Sequence, residues 1–186
     1  GLKIFCEYRD KRSFPLLLPL LDQSCPVERM SAVYALGRNP CPDAVSKLVN
    51  LLESDDNAYV RRATAWSLAN YDNQIVLRPL IKALQNDVSS VRLWASSSLA
   101  EIGNISNDNA QLASEQLLIS LKIDNEPVVR SNCIWSLCRL YQKLSNQLQE
   151  LFIDECTKIA LFDSEPSVME EAKTALDSMG MKGFYK

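Results

Sequence analysis

Apolar residues return along this chain at three- and four-residue intervals, inside a short signature that itself returns five times. The copies read ERMSAVYALG (28–37), VRRATAWSLA (60–69), VRLWASSSLA (91–100), VRSNCIWSLC (129–138) and VMEEAKTALD (168–177). Their starts lie 32, 31, 38 and 39 residues apart. The inner spacing places the apolar positions on one face of a helix. The outer spacing is that of stacked helical repeats.

Counting each signature from its first residue as position 0, position 4 is Ala32, Thr64, Ala95, Cys133 and Ala172. Position 7 is Ala35, Ser67, Ser98, Ser136 and Ala175, and position 8 is leucine in every copy. Positions 0, 4, 7 and 8 share a face. Small residues there let neighbouring helices approach, and the leucine fills the core. Four residues ahead of position 0 stand Ser24, Asp56, Asp87, Asn125 and Ser164, all good N-cap types. Pro26, Pro127 and Pro166 follow in the first turn, where a missing N–H costs little. Another apolar helix is predicted ahead of each, over roughly 13–22, 43–53, 75–85, 108–122 and 146–162. Two antiparallel helices per repeat follow. Pro19 is expected to kink the first of them.

Three segments, RMSAVYALGRNP (29–40), AYVRRATAWSLANY (58–71) and VRLWASSSLAEIG (91–103), resemble the HEAT repeat family. More narrowly they resemble the short HEAT-like repeats of the phycobilisome lyase group. The resemblance spans nearly the whole chain. It implies an all-α fold, a right-handed α-solenoid of about five helical hairpins forming an armadillo-like superhelix. We expect a single array over 1–186, with repeats near 13–39, 43–71, 75–103, 108–141 and 146–180. Residues 1–12 read as the end of a preceding repeat, which leaves the array open at its N-terminus.

Position 1 is Arg29, Arg61, Arg92 and Arg130, then Met169. The recurrence reads as a structural ladder in which each arginine pairs with an aspartate of an adjacent turn, such as Asp55 or Asp124. Its loss at Met169 suits a terminal, capping repeat.

Position 6 lies at about 240° on the helical wheel, away from the core. It holds Tyr34, Trp66, Ser97, Trp135 and Thr174. Position 2 on the same side adds Met30, Arg62 and Leu93, and position 10 adds Arg38 and Arg139. The resemblance puts second helices on the inner, concave surface. Met30, Tyr34, Arg38, Arg62, Trp66, Leu93, Trp135 and Arg139 would then line one groove of interface-type residues. The competing reading packs these aromatics between repeats, where they only stiffen the stack. Trp94, at position 3, reads as structural.

Composition narrows the chemistry. Twenty Lys+Arg against 23 Asp+Glu give a net charge of −3, which argues against general nucleic-acid binding. The longest apolar run, LLLPLL at 16–21, is far too short to span a membrane, and no secretory leader is expected. There is no histidine, which removes the commonest acid/base and the usual zinc partner of cysteine. Hydroxylases of the paired His-Glu type on HEAT repeats are thereby excluded. Five glycines make no phosphate loop. Cys6, Cys25, Cys41, Cys133, Cys138 and Cys156 form no CxxC pair and point to a reducing cytoplasm. Cys25 and Cys41 flank one helix, about 16 Å apart, too far to share a metal. Cys133 and Cys138 occupy packed slots. No metal site of the chain's own is expected, and no catalytic residue.

The expected function is a non-enzymatic scaffold that binds a protein partner in the aromatic groove. The resemblance adds an alternative: a subunit of a bilin lyase or isomerase that positions a tetrapyrrole, its arginines pairing with the propionates. A phycobiliprotein or a second HEAT-repeat subunit would then be the partner. A further alternative by association is an accessory factor in iron–sulfur assembly. The scaffold reading needs no cofactor.

Overall fold

The computed structural model describes residues 10–181 and Gly183, and all regular structure among them is helical. Residues 1–9 lie outside this description, and with them most of the expected preceding repeat. Ten α-helices follow one another: α1 Phe14–Leu17, α2 Pro26–Arg38, α3 Val45–Ser54, α4 Ala58–Leu68, α5 Leu77–Asn86, α6 Ser89–Gly103, α7 Asn107–Ile123, α8 Pro127–Leu140, α9 Asn146–Phe162 and α10 Pro166–Ser178. After α1 the chain tightens into a 3₁₀ turn over Leu18–Asp22. Pro19, which cannot donate to an i−4 carbonyl, stands at this change of winding. The chain divides into two compact units, Gly1–Ile102 and Gly103–Lys186.

In the first unit α2 packs on α4, and α3 packs on both α4 and α5. In the second, α8 packs on α7 and α10, while α9 packs on α7 and α10. Each unit thus stacks first helices on first helices and second helices on second helices. The signature supplies the interior. Position 8 leucines Leu36, Leu68, Leu99, Leu137 and Leu176 are fully buried, each contributing about 1.5–3 kcal/mol of apolar burial. Position 4 and 7 residues are equally covered, Thr64, Ser67, Cys133 and Ser136 included. Ser98 Oγ donates to the Ala65 carbonyl at 2.7 Å and Tyr71 Oη to the Leu36 carbonyl at 3.1 Å, so buried hydroxyls link successive second helices.

The first helices come in two lengths. α3 and α5 have 10 residues each and are led in by 3₁₀ turns. α7 and α9 have 17 each and are capped by Ser106 and Ser145, whose side chains accept the Asn109 and Leu148 amides.

The N-caps of the second helices fall one residue later than the sequence suggests. Cys25, Asn57, Glu126 and Glu165 hold that place, not Ser24, Asp56, Asn125 and Ser164. Asp87 likewise stands two residues ahead of α6. Of these four caps only Asn57 accepts amides of its helix with its side chain. At Asn57, Glu126 and Glu165 the displacement traces to an aspartate two residues earlier. Asp55, Asp124 and Asp163 each end a first helix and then accept the amide two residues on, at 2.9 Å. That Asx turn sets the corner and displaces the cap.

Asp55 and Asp163, like Asp87, also receive arginines of position 1. Arg29 grips Asp55 through Nε and Nη2 at 2.7 and 2.9 Å. Arg130 grips Asp163 at 3.0 and 2.7 Å. The third nitrogen of each arginine turns back to its own corner: Arg29 to the Gln23 and Ser24 carbonyls, Arg61 to Asp55, Arg92 to Asp87, Arg130 to Asp124. In Arg29, Arg61 and Arg130 all three nitrogens of the planar fork are thereby engaged.

Candidate functional site

In the first unit α2 and α4 lie side by side and present their position 2, 6 and 10 residues along one face. Tyr34 and Trp66 meet there, ring centres 5.4 Å apart and planes inclined at 52°. Arg38, one turn beyond Tyr34 on α2, lays its guanidinium over the Trp66 ring at 5.5 Å. On α4, Arg62 sits one turn before Trp66 and covers the ring of Tyr59 at 5.4 Å. The face is closely built at its base. A Cβ on Gly37 would come within 2.5 Å of Trp66 Cζ3 and 3.0 Å of Ser67 Oγ. Only a residue without a side chain lets the indole lie across α2.

Met30, Tyr34, Arg62, Trp66 and Leu93 are half-buried, and Arg38 is exposed. Both readings of the aromatics therefore find a place. Trp66 packs against α2 with one part of its ring and shows the rest to solvent. Tyr59 was not expected in the row. It is 64% exposed, and its spacing of three from Arg62 is the signal that would have found it.

In the second unit Trp135 is 41% exposed, and Arg139 stacks on it at 4.8 Å. The structure thus brings Tyr34, Arg38, Arg62 and Trp66 together in one unit and pairs Trp135 with Arg139 in the other. Trp94 departs from its expected structural place: it is 37% exposed, whereas Ala63 at the same position is fully buried. Position 3 lies at the edge of the core face, so a methyl is covered there and an indole projects.

Most of the arginines already described are committed. Arg29, Arg61 and Arg130 are held by carboxylates. Arg38 and Arg62 differ. Among the described residues neither has a carboxylate partner, and the buried Nε of Arg62 has no hydrogen-bond partner.

The cysteines offer no second site. Cys41, Cys133 and Cys156 are buried, Cys138 is half-buried and Cys25 is exposed. Burial pushes the Cys138 thiol up to about 11, with Glu171 adding to the rise and a hydrogen bond with Ser178 opposing it. Burial likewise raises the Cys156 thiol. Among the described residues no group of three or more Cys, Asp or Glu is placed to hold a metal ion. No helix among them is long and apolar enough to cross a membrane. A shallow concavity between α3 and α5 is lined by Leu52, Glu53, Arg61, Lys82, Asn86 and Asp87, and both of its carboxylates are already held in ion pairs, Glu53 by Lys82 and Asp87 by Arg61.

Paired helices stacked in register, a repeat-locked arginine and small residues at the helix contacts define an α-helical repeat protein. Comparison with known proteins gives the family: the profile of HEAT repeats matches residues 2–69 and 45–138, and the chain belongs to that family. No curated protein sequence matches it. Among solved structures it is similar to the complex of CpcE and CpcF of phycocyanin lyase from Nostoc sp. PCC7120. That match has 24% identity and a TM-score of 0.69 over 89% of this chain and 99% of the other. It is also similar to a designed armadillo repeat protein in complex with the peptide (KR)4, with 21% identity and a TM-score of 0.67 over 100% of this chain and 90% of the other. These likenesses establish the fold.

Proposed function

We propose that this chain is a non-catalytic, cytoplasmic interaction module whose second-helix faces hold a helix or extended segment of a protein partner. The observation that carries this reading is the row Tyr34, Arg38, Trp66 and Arg62. It combines large rigid side chains with donors that the fold leaves unused, the combination that concentrates binding energy at interfaces. Both similar structures named above are complexes, one with a second protein and one with a peptide.

A second reading has one observation in its favour, the likeness to the phycocyanin lyase complex. A tetrapyrrole would supply a flat conjugated surface and two carboxylates, which Arg38 and Arg62 could meet. The aromatic pair suits this only in part. Its rings are inclined at 52°, so they make no parallel slot, and a flat ligand would lie against their outer sides. The iron–sulfur reading rests on resemblance alone, and of the two cysteines it would use Cys25 is exposed and Cys41 is buried.

The test is an affinity capture with the wild-type chain and a Trp66→Ala/Trp135→Ala variant, followed by an absorbance scan of the eluate. A colourless partner lost in the variant supports the interaction module. A coloured eluate with tetrapyrrole bands moves the reading to bilin handling. Identical captures from both chains show that these faces are not the working surface.

A further inference from the structure

We infer that the face built by Tyr34, Arg38, Trp66 and Arg62 is selective for an acidic peptide segment, one whose carboxylates flank an apolar side chain. The inference rests on the reading of that face as the working surface and gives its partner a chemistry.

A guanidinium has a flat apolar face and an edge of N–H donors. In the Arg–Asp ladder all three nitrogens of the edge bond carboxylates and carbonyls. Arg38 and Arg62 instead lie over the rings of Trp66 and Tyr59, their central carbons 5.5 and 5.4 Å from the ring centres. Among the described residues no carboxylate meets either group. The Arg62 Nε is buried without a partner, which costs free energy, while the two amino nitrogens of the group are not buried in this way and are the donors an incoming carboxylate would meet. A carboxylate accepts two parallel N–H bonds from such an edge. Between the two arginines lies the Trp66–Tyr34 pair, an apolar platform for a single side chain. Acceptor, apolar group, acceptor is the complementary order. A basic segment such as the (KR)4 bound by the designed armadillo protein would meet like charge here.

Fluorescence anisotropy of labelled peptides tests this directly. The probes are (EEL)3, its neutral counterpart (QQL)3 and its basic counterpart (KKL)3, titrated with the full chain and with an Arg38→Gln/Arg62→Gln variant. The expected result is at least tenfold tighter binding of (EEL)3 than of (QQL)3, with none of (KKL)3. That preference should vanish in the variant and weaken between about 20 and 200 mM salt, as screening predicts. The variant's helicity and melting should match the wild type. Equal binding of (EEL)3 and (QQL)3, both lost on Trp66→Ala, overturns the acidic selectivity and leaves the interaction surface standing. No binding of (EEL)3 at millimolar chain overturns the inference outright, and the capture experiment then decides the surface reading by itself. Biliverdin displacing (EEL)3 at a hundredfold lower concentration assigns the free edges to propionates and overturns the peptide.

Discussion

Arg61 of α4 holds Asp87, the residue that closes α5 in the next hairpin, with Nε and Nη2 on the two carboxylate oxygens at 2.8 and 2.7 Å. The pair is largely covered, with 18% and 12% of the two side chains exposed. The same geometry at Arg29–Asp55 and Arg130–Asp163 makes the joint between hairpins ionic at its rim and apolar at its centre.

Removing one half of such a joint should cost far more than a surface ion pair does. Arg130→Ala leaves Asp163, whose side chain is 8% exposed, without its counter-charge and frees the Asp124 carbonyl. The expected loss is about 3–5 kcal/mol in urea unfolding. Breaking the exposed Lys82–Glu53 pair should change stability by less than about 1 kcal/mol.

The joints also predict an acid limit. Burial by itself would raise the Asp55 and Asp163 carboxyls. Hydrogen bonds from Arg29 and Arg130, the Asn57 and Glu165 amides and the guanidinium charges outweigh it, and both are held below the usual carboxylate range. A carboxyl lowered by folding stabilises the fold above its unfolded pKa of about 3.9, and that contribution is lost as pH falls through the folded value. Urea midpoints should therefore be flat from pH 7 to about 5 and fall below about pH 4. In Asp163→Asn the fall should be shallower; an identical acid slope would remove Asp163 from the account.

Gly37→Ala sets two effects against each other. Alanine is the better helix former by about 1 kcal/mol. Its methyl, however, would meet Trp66 Cζ3 at 2.5 Å and the Ser67 Cα at 3.2 Å, and backbone cannot swing aside. Overpacking of this kind costs about 1–3 kcal/mol, so a net loss is expected, together with a shifted tryptophan emission. A gain in melting temperature would mean that the indole moves freely.

Thiol alkylation should sort the cysteines by position. Cys25 is exposed and should react with iodoacetamide in the native protein. Cys138, pushed up to about 11, and the buried Cys41, Cys133 and Cys156 should react only on unfolding. Peptide mapping after a brief labelling pulse reads this out. Native modification of Cys138 would show that α8 and α10 separate easily.

The hairpins were legible because burial leaves a periodic trace: a leucine at position 8 and a small residue at position 7 define a buried stripe whatever the neighbours are. Capping was less legible. Asp55 and Asp56 are both good caps on paper, and only the hydrogen bonds of the folded corner show that Asp55 makes the turn while Asn57 caps the helix. Trp94 misled because wheel angle carries no information about side-chain volume at the edge of a core. The candidate surface was legible as a set of residue types. What the sequence could not express is which arginines are already spent, since Arg61 and Arg62 are neighbours in the chain and opposites in use. Nor does any change of composition mark the boundary between the two units, because α6 runs unbroken up to Gly103.

The two lengths of first helix carry a consequence for how such a chain can vary. Seven residues separate the short form from the long, and the Arg-to-Asp distance along the chain grows by the same step, from 26 to 33. Seven residues are close to two whole turns, so the added length returns the apolar stripe to the same side. Because the closing aspartate stays fixed in its joint, the surplus accumulates at the opposite end of the hairpin. The coupling between modules is thus indifferent to module size. A hairpin can be exchanged for one two turns longer without redesigning the junction that receives it, and the margin far from the junction is free to diversify.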